Sequence, residues 1–88
     1  MDVFEKVSEI LSELSGKEII DLEDKLQDDL GLDSLQMVLL LVTLEENFEI
    51  VFDETDMNPF DLINVFHVVN LVEKYLGNDN NKEHEEEN

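Results

Sequence analysis

Residues 34–48, SLQMVLLLVTLEENF, are apolar on two opposite sides of a helix. At about 100° per residue, Met37, Leu40, Leu41, Leu44 and Phe48 share an arc from about 140° to about 240° measured from Leu35. Leu35, Val38, Leu39 and Val42 fall on the opposite side, between about 300° and about 40°. A small helical domain buries one stripe of each helix. This helix therefore either sits at the centre of the molecule or keeps a second apolar face for something else. Glu46 lies on the second strip one turn beyond Val42, and Glu45 flanks it. An apolar centre with acidic flanks is the composition of a docking surface. Part of the strip is expected to pack on a short helix later in the chain or on the preceding loop over 17–33, leaving at least two of its four apolar residues exposed.

The rest of the chain reads as helices around this one. Asp2-Val3-Phe4-Glu5 has the form of a capping box, and Val3, Phe4, Val7, Ile10, Leu11 and Leu14 recur at helical spacing up to Gly16. That predicts a first helix over 3–15 with Gly16 at its left-handed end. Residues 17–33 form a long connection in which Ile19, Ile20, Leu22, Leu26, Leu30 and Leu32 are apolar anchors, with a turn expected at Ile19–Leu22. Glu49 to Phe52 leaves the second helix extended, and Asp53–Asp56 begins a turn. Asn58-Pro59 predicts a short helix near 59–63, capped by Asn58 with Pro59 at the first position. Asn64 caps a last helix over 65–76, carrying Val65, Val68, Val69, Val72 and Leu76, and Gly77 is expected to end it. The fold class is all-α: a small four-helix bundle of three main helices and one short one, with a long loop between the first two. Residues 1–77 form the domain and 78–88 a disordered acidic tail.

Composition narrows the chemistry. The chain has 24 acids against 5 lysines, a formal net charge of −19. The field repels nucleic acid and anionic membranes and favours fast, salt-sensitive encounters with basic surfaces. There is no cysteine, which excludes disulfides, thiolate zinc sites and thiol catalysis. The apolar run around Val38–Val42 is far short of the roughly 20 residues of a membrane span. No signal-peptide pattern opens the chain. A cytoplasmic monomer is expected. No EF-hand pattern is present, so the acids do not form a calcium loop of that kind.

Ser34 stands where an acidic loop, Asp28-Asp29-Leu30-Gly31-Leu32-Asp33, meets the apolar helix. It can cap that helix itself. If Asp33 is the cap, Ser34 occupies the first helical position with a free hydroxyl, at a helix end that favours an attached phosphate. It is not a catalytic nucleophile. A serine needs an activating base, and the two histidines are His67, in the last helix, and His84, in the tail. No catalytic residue and no metal ligand is assigned, and the chain is not an enzyme.

Asp29-Leu30-Gly31-Leu32-Asp33-Ser34-Leu35, followed by a helix ending Leu44-Glu45-Glu46-Asn47-Phe48, resembles the signature of the acyl carrier protein family. The resemblance covers about residues 2–77. It implies that Ser34 carries a covalent 4′-phosphopantetheine arm, transferred from coenzyme A by a phosphopantetheinyl transferase with Mg²⁺. The arm's thiol would hold acyl or aminoacyl groups as thioesters for loading and processing enzymes with basic and apolar docking patches. Leu35, Val38, Leu39 and Val42 would then be the docking strip, with Asp33, Glu45 and Glu46 as steering acids. Two positions depart from the fatty-acid carriers: Gln36 and Leu39 stand where acids are usual, which makes the strip more apolar, as in peptidyl carriers. The readings left open are an acyl carrier of fatty-acid, polyketide or specialised type, an aminoacyl or peptidyl carrier, and an unmodified acidic helical adaptor that uses the same strip.

Overall fold

The computed structural model describes residues 2–81. Three α-helices, α1 (Val3–Ser15), α2 (Ser34–Phe48) and α3 (Val65–Asn81), account for most of them. α1 packs against both other helices, and α2 also packs on the turn at Pro59–Asp61.

Each helix begins on a short polar side chain. Asp2 accepts from Phe4 N–H at 3.1 Å, Asp33 from Gln36 N–H at 2.8 Å, and Asn64 Oδ1 from His67 N–H at 3.0 Å. Each bond satisfies one of the donors that a helix start leaves without an intrahelical partner. α1 ends on Gly16 at φ 80°, whose N–H donates to the Ser12 carbonyl. α2 ends on Glu49, a non-glycine residue at φ 56°.

The long connection is packed down. Asp24 N–H donates to the Asp21 carbonyl, so the first turn spans Asp21–Asp24, a little beyond the expected Ile19–Leu22. Residues 26–32 then close like the end of a helix. Leu32 N–H donates to Leu26 O and Gly31 N–H to Gln27 O, with Gly31 at φ 70°. The Gly31 bond is the five-to-one closure of a left-handed αL cap, the Leu32 bond reaches one residue further back, to seven-to-one, and Leu26 and Leu32 are both buried. The connection is also stitched to the start of α3. Leu26 N–H donates to Ile63 O, Val65 N–H to Asp24 O and Phe66 N–H to Leu22 O, around a bridge between Lys25 and Asn64.

Two expectations are corrected. The short fourth helix is a single 3-10 turn at Pro59–Asp61, closed by Asp61 N–H to Asn58 O and Leu62 N–H to Pro59 O. Three residues are too few to propagate an α-helix. Gly77 does not end the last helix, which runs on to Asn81. A glycine inside a helix costs only about 1 kcal/mol relative to alanine, which neighbouring turns can outweigh. The remainder of the expected acidic tail, 82–88, lies outside the described residues.

The core is continuous. Val7, Ile10 and Leu11 of α1 meet Met37, Leu40, Leu41, Leu44 and Phe48 of α2 and Val65, Val68, Val69 and Val72 of α3. Ile20, Leu26, Leu30 and Leu32 of the long connection, with Phe52 and Leu62, complete it. No buried polar or charged residue occurs among those described. At about 1.5–3 kcal/mol for each fully buried aliphatic side chain, this set is the main stabilising term.

Candidate functional site

The left-handed closure at Gly31 turns the chain so that Asp33, in extended conformation, becomes the N-cap of α2. The cap is reciprocal: Asp33 Oδ1 accepts from Gln36 N–H, and Asp33 N–H donates to Gln36 Oε1 at 3.2 Å. Such a box holds the first turn of a helix in one geometry. Ser34 therefore occupies the first helical position. It is exposed, and its hydroxyl makes no hydrogen bond to any described residue. Of the two readings open in the sequence, Asp33 is the cap and Ser34 is left with a free primary alcohol.

The same turn contains a residue whose importance the sequence concealed. Gln36 reads as a neutral replacement for an acid. Its Nε2 donates to the carbonyl of Leu14 at 3.0 Å, tying the start of α2 to the end of α1. A carboxylate at position 36 has no proton to make that bond.

The two faces of α2 divide as the spacing predicts. Met37, Leu40, Leu41, Leu44 and Phe48 are buried. Leu35 is 77% exposed, Val38 47%, Leu39 48% and Val42 40%. All four residues of the second strip are thus open to solvent, in a line that begins beside Ser34. The acids on the strip differ from one another. Glu46 is exposed. Glu45 is half-buried, and its Oε2 accepts from Phe52 N–H at 2.8 Å, holding the segment that leaves α2. Part of its charge is spent on structure.

A second polar cluster was not legible in the sequence. Tyr75, on α3, donates its O–H to Asp56 Oδ2 at 2.6 Å and accepts from Asp53 N–H at 2.6 Å. Lys74 Nζ lies 3.2 Å from the same Asp56 oxygen, and the Tyr75 ring packs edge-on to Phe52 at 5.1 Å. The Tyr75 hydroxyl, then the Lys74 ammonium, hold the Asp56 carboxyl below its usual range against the opposing effect of desolvation. Desolvation, then the bond to Asp56, pushes the Tyr75 phenol up. Asp24 is likewise held low, first by the Asp21 N–H and then by Lys17 at 3.1 Å.

His67 stands apart from Ser34 in role. Its Nδ1 accepts from Ile63 N–H at 3.1 Å, at the start of α3. Among the described residues no group of three or more acidic or histidine side chains is placed to hold a metal ion, and no helix is long and apolar enough to cross a membrane. What the site offers is an accessible hydroxyl at a rigid helix start, flanked by an apolar strip.

Comparison with known proteins points the same way. The family described as a phosphopantetheine attachment site matches residues 5–72. An acyl carrier protein of Campylobacter curvus is 38% identical over 76 residues, covering 84% of this chain and 96% of the relative. One of Thermotoga maritima is 36% identical over 78 residues, covering 86% and 94%. One of Desulforapulum autotrophicum is 42% identical over 67 residues, covering 73% and 87%. The similarity spans all three helices of the domain. The structure fits the prosthetic group, since the hydroxyl beside Asp33 is exposed and the first turn of α2 has N–H groups suited to a phosphate. The chain belongs to the phosphopantetheine attachment family and is a carrier protein, not an enzyme.

Proposed function

We propose that Ser34 Oγ is the atom that bears the 4′-phosphopantetheine arm, and that the chain presents thioester-bound acyl groups on it to successive enzymes. The observation that supports this reading is the free, exposed hydroxyl of Ser34 at the first position of a helix capped by its neighbour. The arm supplies a terminal thiol, which a chain without cysteine does not have.

Attachment forms a bond between Ser34 Oγ and the pantetheine-bearing phosphorus of coenzyme A. The phosphoanhydride bond of coenzyme A breaks, adenosine 3′,5′-bisphosphate departs, and the serine proton passes to a base. The base belongs to the transferase, because His67 Nδ1 is already an acceptor for Ile63 N–H. The protein's own contribution is positional. Asp33 and Gln36 fix the first turn, and the partial positive charge of the helix start favours the phosphodiester.

Leu35, Val38, Leu39 and Val42 form the surface that partner enzymes meet, with Asp33 and Glu46 at its ends and Glu45 at its side. The cargo is an acyl group, by likeness to relatives named acyl carrier proteins. The chain works as a monomer in the cytoplasm. A net charge of −19 opposes self-association.

The test is an intact mass. The protein and its Ser34→Ala variant are incubated with coenzyme A, Mg²⁺ and a broad-specificity phosphopantetheinyl transferase. The wild type is expected to gain one phosphopantetheine and the variant none. No gain by the wild type with several transferases would leave Ser34 as an idle first-turn residue and the strip as the surface of an unmodified adaptor.

A further inference from the structure

The charge of the molecule and the charge of the strip do not match. The chain has 24 acids, yet residues 34–44, SLQMVLLLVTL, contain no charged side chain. The solvent-facing positions of those three turns are Ser34 and the four aliphatic residues Leu35, Val38, Leu39 and Val42. Along α2 and its cap, the acids nearest the strip stand at its ends. Asp33 is the cap, with one oxygen engaged by Gln36 N–H. Glu46 is exposed. Glu45, between strip and core, is held by Phe52 N–H. At 1.5 Å per residue, Asp33 and Glu46 are about 20 Å apart along the axis.

We infer that the partner surface fitting α2 is a shallow apolar furrow with a single cation near each end, about 20 Å apart, and not a broad basic patch. The inference rests on the carrier reading above and names the chemistry of the partner at that site. Charge complementarity is its argument. A row of Lys or Arg laid along α2 would meet four aliphatic side chains over three turns and be desolvated without a partner, which costs binding energy. An apolar furrow loses nothing and gains the burial of all four. The acids elsewhere on the molecule still act at a distance. Long-range attraction accelerates encounter and is screened by salt, whereas apolar contact sets how long the complex lasts. The two contributions therefore separate into the association and the dissociation rate.

The experiment uses the unmodified protein and a broad-specificity phosphopantetheinyl transferase, without coenzyme A, by interferometry at 50 and 500 mM NaCl. The association rate is expected to fall with salt. The dissociation rate is expected to change by less than about twofold across the range, and to rise about tenfold in Leu39→Ala, as for a central apolar anchor. Glu46→Gln is expected to alter it by no more than about threefold, as for a charge at the rim. Leu35→Ala, at the most exposed position, gives a second apolar truncation, and circular dichroism melts confirm that the variants fold. A dissociation rate that climbs about tenfold with salt, while both truncations leave it unchanged, would show a charge-held interface and overturn the inference. A concentration-dependent dimer of the protein that disappears in Leu39→Ala would also overturn it, by making a second copy the occupant. These outcomes are distinct from failure of the carrier reading, which is the absence of any mass gain on Ser34.

Discussion

The side-chain amide of Gln36 joins two helices: Nε2 donates to the Leu14 carbonyl near the end of α1, and Oε1 accepts from the Asp33 N–H at the start of α2. Both halves of one amide are used, and the turn that presents Ser34 is thereby fixed to α1. Gln36→Glu keeps the acceptor and loses the donor. It also sets a negative charge against the carbonyl end of α1, the unfavourable pole of the helix. A loss of about 1–2 kcal/mol is expected in urea denaturation at pH 7. The difference from wild type is expected to shrink below about pH 4, where a protonated glutamic acid can donate again. An unchanged midpoint at pH 7 would show that the Leu14 bond contributes nothing.

Tyr75 is the link between α3 and the segment after α2. Tyr75→Phe keeps the ring against Phe52 and removes the hydroxyl that serves Asp56 and Asp53 N–H. A loss of about 1–2 kcal/mol is expected at neutral pH. The folded-state pKa of Asp56 is depressed. Its stabilising contribution is therefore complete above the unfolded value near 4 and is lost as pH falls through the lower folded value. The gap between wild type and Tyr75→Phe should hold steady from pH 7 down to about 5 and narrow in acid below about 4. Chemical denaturation at a series of pH values checks this, and a gap that widens in acid would contradict the assignment of Tyr75 as the donor.

How much of this was legible depended on the range of the interaction. The N-caps Asp2 and Asn64, and the two faces of α2, follow from residues within a turn or two of one another. Local spacing carries that information. The choice between Ser34 and Asp33 as the cap of α2 stayed open until the hydrogen bonds decided it. Gly31 and Ser34 were legible as a motif, but the left-handed closure that favours glycine at position 31 emerged only from the backbone and its hydrogen bonds. The Gln36–Leu14 bond spans 22 positions and the Tyr75–Asp56 bond spans 19. Neither leaves a periodic trace, because each exists only once the helices have packed. Pro59 and Gly77 misled for a related reason. Proline begins a 3-10 turn as well as an α-helix, and a glycine near a helix end stops it only when the chain beyond it turns away.

Two residues in left-handed backbone conformation predict effects of opposite sign. Gly31, at φ 70°, has no atom within 4 Å of where a Cβ would stand. Gly31→Ala therefore meets no clash, and its expected cost, about 1 kcal/mol, is that of the backbone conformation alone. Glu49 holds φ 56° with a side chain attached. Glu49→Gly is expected to raise stability by about 0.5–1 kcal/mol, since glycine adopts this conformation without penalty. Melting temperatures of the two variants should move in opposite directions, and a fall in both would show that Glu49 makes a compensating interaction.

Adjacent leucines give the sharpest check on the orientation of α2. Leu39 is 48% exposed and Leu40 is fully buried. Leu39→Glu leaves the charge in water and is expected to change stability by less than about 1 kcal/mol, the usual scale for a surface position. Leu40→Ala removes buried methyl groups from the core and is expected to cost about 2–5 kcal/mol. The same pair separates folding from recognition. Leu39→Glu should slow modification of Ser34 while the protein stays folded, because a new carboxylate enters the middle of an uncharged strip. Leu40→Ala should lower the melting temperature, yet under conditions where it remains folded it should leave the rate of modification close to wild type. Urea denaturation beside a time course of intact mass reads both effects, and a large loss of stability in Leu39→Glu would mean that the two faces of α2 have been exchanged.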